Sequence, residues 1–128
     1  MIVGGEMMQG KRIRVGKVSS VDYLAGTVDV IFSDEEDSVR RGIPVFSSEY
    51  IMPKINDMVV VIFQSNSGTR EQGYVVGTPF SEKNMPEVSG KGVFFKRFSD
   101  TAYMQYDPES DTLTIDAGKV RIRNLEEG

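Results

Sequence analysis

Helical periodicity is nearly absent along this chain, and strand signals recur instead at short spacing, separated by turn residues. No stretch longer than about ten residues keeps apolar positions at i, i+3, i+4 and i+7 without a Gly, Pro or β-branched interruption, so the elements expected are strands. A first strand runs over about 12–21 and holds Ile13, Val15 and Val18. Tyr23-Leu24-Ala25-Gly26 is its exit turn, with Gly26 available for positive φ. Residues 27–33 alternate cleanly, with Val28, Val30 and Phe32 on one face and Asp29, Ile31 and Ser33 on the other. Asp34-Glu35-Glu36-Asp37 cannot enter a core and belongs to a solvated hairpin tip. A third strand over 39–46 turns Arg40 and Arg41 outward, and Pro44 confines it to an edge or a bulge. Residues 47–56, with Tyr50 and Pro53, are irregular and leave room for a short helical turn. Met58 to Phe63 is apolar on both faces, which predicts a central strand packed on two sides. A polar hairpin loop over 64–72 leads to a fifth strand over 73–78, with Tyr74 and Val76 on one face. Five short, Gly-punctuated strands in about 70 residues suit a small barrel of the OB type better than a flat sheet.

The pattern changes after the fifth strand. Pro79, Ser81, Asn84, Pro86, Ser89, Gly90 and Gly92 fall in a stretch with no apolar period, which marks a linker. The expected organisation is an N-terminal arm over 1–11, a barrel over 12–80, a linker over 81–92 and a C-terminal segment over 93–128. That last segment carries short strands at about 93–98, 101–106, 112–117 and 120–123. The break at Asp107-Pro108-Glu109-Ser110-Asp111 is a turn, because Pro presets φ and Asp side chains bond back to the backbone. Leu113, Ile115 and Ala117 are odd-numbered whereas Val120 and Ile122 are even, so a turn or bulge is expected at Gly118-Lys119. A few short strands beyond a linker cannot enclose a core of their own. Phe94, Phe95, Met104, Tyr106, Leu113, Ile115, Val120 and Ile122 would each gain roughly 1.5–3 kcal/mol on full burial. Either they fold back on the barrel or other copies of the chain cover them. These eight are the candidate interchain contacts.

Composition narrows the chemistry. The chain has 128 residues and no Cys or His, so it offers no thiol nucleophile, no disulfide, no zinc ribbon and no imidazole base. A Ser-His-Asp or Cys-His mechanism is excluded for this chain alone. Fifteen Lys and Arg stand against nineteen Asp and Glu, for a net charge of −4, the wrong sign for a typical nucleic-acid partner. The longest apolar run has six residues, far short of the ~20 a membrane helix needs. Met1 to Gly10 has neither the basic flank nor the apolar stretch of an export signal, so no signal peptide is expected. The acidic run 34–37 lacks the alternating ligand spacing and mid-loop Gly of a calcium loop. Asp57 and Asp116 are the acids with apolar neighbours, and Asp57, at the start of a strand, is expected to bond turn amides. The four Gly-Lys pairs do not belong to a phosphate loop. A single-strand-binding face would draw on Tyr23, Phe32, Tyr50, Tyr74, Arg12, Arg14, Arg40 and Arg41, but most of the aromatics are in core phase. No enzyme, cofactor or metal is expected. The binding-module alternative, for single-stranded nucleic acid or an oligosaccharide, stays open beside a structural role.

The order of parts resembles the OB-fold domain of the phage baseplate assembly protein V family, shared with central spikes of contractile tails and type VI secretion spike proteins. The residues that carry the resemblance are Gly16-Lys17-Val18, Gly26-Thr27-Val28-Asp29-Val30-Ile31-Phe32 and Ile43-Pro44-Val45. They continue with Tyr50-x-x-Pro53, Asn56-Asp57-Met58-Val59-Val60-Val61 and Gly73-Tyr74-Val75-Val76-Gly77. Tyr106-Asp107-Pro108 and Thr112-Leu113-Thr114-Ile115-Asp116-Ala117 look like the start of that family's intertwined β-helix. The resemblance implies a homotrimer whose barrels form a collar and whose C-terminal strands wind into a trimeric β-helix or prism. It also implies a virion tail baseplate or tail-like particle as location, made in the bacterial host cytoplasm. Tail-tube and baseplate proteins are the implied partners, with transient contact to the target envelope and no nucleic acid. The few strands past the linker, and the absence of any His for an iron-binding apex, imply a blunt platform with a separate tip protein.

Overall fold

The computed structural model describes residues 12–33, 38–64 and 71–124. The arm 1–11, the acidic tip 34–37 and most of the hairpin loop, 65–70, lie outside the described residues, as do 125–128. All regular structure among the described residues is β, in two antiparallel sheets. The chain divides into two units, Met1–Asn84 and Met85–Gly128. No helix of the described residues is long and apolar enough to cross a membrane. The stretch 47–56 is irregular, as its sequence suggests, and the short helical turn it leaves room for does not form.

The first unit is a five-stranded sheet of β1 (Ile13–Asp22), β2 (Thr27–Phe32), β3 (Ser38–Pro44), β4 (Met58–Gln64) and β5 (Gln72–Gly77), in the order β3-β2-β1-β4-β5. Pro44 ends an edge strand, where its missing N–H leaves no ladder bond unmade. β1, not β4, is central: its first half pairs with β4 and its second half with β2. A run such as Met58–Phe63 reads as buried on both sides because each residue is apolar, but position in the sheet is set by pairing, and periodicity cannot see that. In the chain β4 buries Val59, Val61 and Phe63 and leaves Met58 and Ile62 exposed. The second side of that strand is open.

The inward positions of the five strands form one core: Val18, Val28, Val30, Phe32, Ile43, Val59, Val61, Phe63 and Val75. β1 contributes to it in an unexpected phase. Arg14, Gly16 and Val18 point inward, while Ile13 and Val15 face out. Arg14 is only 3% exposed and lays its guanidinium 4.0 Å from the centre of the Phe32 ring, with Phe63 beyond at 6.0 Å. A weakly hydrated planar cation is the charged group best suited to that position.

Three ladder shifts curve the sheet. β1 carries an extra residue at Ser19 against β2, β3 carries one around Arg41-Gly42 against β2, and β5 shifts at Val76 against β4. Gly42 has φ +66, a backbone setting that costs a side chain energy and costs glycine none. The two ends of the strand order come together beyond β3, where Val45 and Val75 form a parallel bridge and Phe46 N–H donates to Val75 O at 2.8 Å. No continuous ladder joins β3 to β5 among the described residues.

Candidate functional site

The second unit is a three-stranded sheet of β6 (Phe94–Ser99), β7 (Ala102–Asp107) and β8 (Thr112–Asp116), with β7 in the middle. The expected fourth strand over 120–123 is not formed. The backbone bends at Ala117-Gly118 and continues without a ladder. The parity change between Ile115 and Val120 therefore marks where the strand ends, not a bulge within a hairpin.

Register decides which side chains meet. Phe94 lies opposite Tyr106, which lies opposite Leu113; Lys96 lies opposite Met104, which lies opposite Ile115. In an antiparallel ladder, opposed residues share a face. Phe94, Met104, Tyr106, Leu113 and Ile115 thus form one apolar face, with Lys96 in the same rows. Phe95 is on the reverse side, with Tyr103, Arg97, Gln105, Thr114 and Asp116. Its ring stacks on Tyr103 at 5.6 Å, and the Arg97 guanidinium sits 5.5 Å from each ring centre. Arg97 Nε also donates to Glu87 Oε1 at 2.8 Å. Val120 and Ile122 are exposed but lie past the last strand. Of the eight residues singled out by the sequence, the structure gathers five on one face, turns one to the other and leaves two outside the sheet.

Among the described residues of its own unit, that face has no cover. No side chain within the described residues 85–124 is buried; Phe94, Leu113 and Ile115 are each about half exposed. Side-chain hydrogen bonds close the turn between β7 and β8. Asp107 Oδ1 accepts from Glu109 N–H at 2.9 Å, Ser110 Oγ donates to Asp107 Oδ2 at 3.1 Å, and Asp111 takes φ 52. The Tyr106 hydroxyl donates to Asp111 Oδ1 at 2.7 Å, and that bond holds its pKa above the usual phenol value. A fixed tyrosine at the rim of an exposed apolar face loses little side-chain entropy when a partner covers it.

The residues of the binding-module alternative are dispersed by the fold. Phe32 and Arg14 are core residues and offer no ring or charge to solvent. Arg40 pairs with Glu71 at 3.7 Å and lies 5.2 Å over the Phe63 ring, while Arg41 pairs with Asp29 at 3.3 Å. Tyr50 Oη donates to Tyr23 O at 2.8 Å, tying the β1–β2 turn to the 47–56 segment. Asp57 Oδ2 accepts from Lys54 N–H at 2.8 Å, the turn-amide role its position suggested. Among the described residues, no group of three or more Asp and Glu gathers as a metal site. A groove of about 340 Å³ between the 45–54 segment and β5 is lined mainly by apolar side chains and by the same Lys54–Asp57 turn. No family model matches the chain, and no curated protein matches it either.

Proposed function

We propose that this chain is a structural hub of a contractile phage tail baseplate or a tail-like particle, and that it works as a homotrimer. The barrel-like first unit would form a collar on the tail tube. The C-terminal sheets of three copies would wind together as a prism and present a platform to a separate tip protein. The observation that carries this reading is the uncovered apolar face of β6-β7-β8, together with the order of motifs that resembles the baseplate family. Three such faces around a common axis hide one another, and the free edges of β6 and β8 gain strand partners. A trimer closed in that way is stiff, which is what a part that transmits the force of sheath contraction requires.

The test is the solution mass of the full chain by sedimentation, beside the variant Leu113→Lys/Ile115→Lys. A trimer for the natural chain, lost in the variant while its circular dichroism is kept, is the expected result. A natural chain that stays monomeric at high micromolar concentration overturns the reading. The binding-module alternative would need a salt-dependent shift of a short oligonucleotide. The burial of Arg14 and Phe32 removes two of its candidate contacts.

A further inference from the structure

In the order β3-β2-β1-β4-β5 every neighbouring pair is joined by a ladder, whereas the two end strands, β3 and β5, are not joined among the described residues. They nevertheless meet in register. Val45 and Val75 form a parallel bridge, and Phe46 N–H donates to Val75 O at 2.8 Å. Counted back from that bridge, a parallel pairing sets Ile43 opposite Gly73. The extra residue of β3 around Arg41-Gly42 then sets Arg40, not Arg41, opposite Glu71. Those two side chains are the ones that pair across the seam, at 3.7 Å.

Between the bridge and the ion pair lies a cleft of about 430 Å³, with Gly42 and Ile43 on one wall, Gln72 and Gly73 on the other, and Phe63 in its lining. A Cβ at Gly73 would stand 2.8 Å from the Phe63 ring, so only bare backbone fits there. Arg40 crosses the opening as a strap: its guanidinium lies 5.2 Å over the Phe63 ring and reaches Glu71.

We infer that this seam is a conformational switch. β3 and β5 zip from the Val45–Val75 bridge toward Arg40 and Glu71, and the first unit passes from a curved sheet with two free edges to a closed barrel with none. Closing needs no sliding, because the register is already set, and it satisfies main-chain groups that an edge leaves unpaired. Opening is easy for the opposite reason. One backbone hydrogen bond and one partly exposed ion pair hold the seam, and an ion pair of that kind is weak. Separating any other two neighbours in the sheet breaks a whole ladder. Gly42, at φ +66, lies where β3 must bend, and glycine changes its backbone angles at the least steric cost. The switch uses the first unit alone and is independent of the trimer proposed through the C-terminal sheet.

Amide-resolved hydrogen exchange on the full chain reads it. The chain has no Cys, so an Arg40→Cys/Glu71→Cys chain can form only one intramolecular disulfide. Zipped strands lie about 5 Å apart, within the reach of such a bond. The oxidised chain is expected to slow the amides of 41–43 and 72–74 at least tenfold against its own reduced form, with the β1–β2 ladder amides changed less than twofold. Glu71→Gln, which keeps the size and removes the charge, should speed the same seam amides at least threefold. A disulfide that does not form, or one that leaves seam exchange unchanged, overturns the inference. So do seam amides that in the natural chain already exchange as slowly as those of the β1–β2 ladder, since the seam then holds one closed state.

Discussion

Asp29 sits between the two ladder shifts of β2, and its side chain ties both together. Oδ1 accepts from Gly42 N–H at 2.8 Å, and Oδ2 accepts from Ser20 Oγ at 2.8 Å and from Arg41 Nη1 at 3.3 Å. The Gly42 amide above all holds the carboxyl below its ordinary value of 3.8, with Ser20 and Arg41 adding to it and burial opposing. A carboxyl whose pKa is lowered by folding adds stability in full above its unfolded pKa and loses it as pH falls through the folded value. Asp29→Asn is expected to cost about 1–2 kcal/mol at neutral pH, since bonds to a charged group are strong but these lie partly in solvent. The gap between the two chains should close in denaturant melts as pH falls below the ordinary value. Gly16 is a second residue whose identity is forced. A Cβ there would press on Val30 Cγ1 and stand 2.8 Å from the Ile31 carbonyl oxygen. Gly16→Ala should therefore destabilise by about 3 kcal/mol, the upper end of overpacking, as read from the denaturant midpoint.

At the scale of elements, the two sheets hold themselves together differently. The first closes over Phe32 and its neighbours, and Phe32→Ala should cost about 4 kcal/mol in the denaturant midpoint. In the three-stranded sheet no side chain is buried, so truncation removes contacts that a single chain does not make. Leu113→Ala should move the midpoint of a dissociated chain by no more than about 0.5 kcal/mol. The same substitution should weaken association severalfold in sedimentation. If Leu113→Ala lowers the stability of the dissociated chain as much as Phe32→Ala does, the face is internal packing and not a contact surface.

For the whole molecule, exposed apolar surface is the common theme. One apolar face belongs to the β1-β4-β5 half of the first sheet, opposite its core, and the other to β6-β7-β8, opposite the Phe95–Tyr103 stack. Mass against concentration tests the proposed trimer: a mass of three chains that persists on dilution is the expected result.

What the sequence determined by itself is the β class, the positions of most strands and the turns between them. Strict alternation in 27–33 and the Asp-Pro turn at 107–111 are local signals, and each was legible within its own few residues. The greasy character of the C-terminal strands was equally plain, since it depends on residue type alone. Tertiary structure decided the rest, because it depends on which strand lies beside which. Only pairing put β1 at the centre, turned Arg14 inward over Phe32 and placed Phe94, not Phe95, on the face of Met104, Tyr106, Leu113 and Ile115. The apolar run 58–63 shows the difference most clearly. Its composition says that both sides want cover, and the fold of one chain covers one of them.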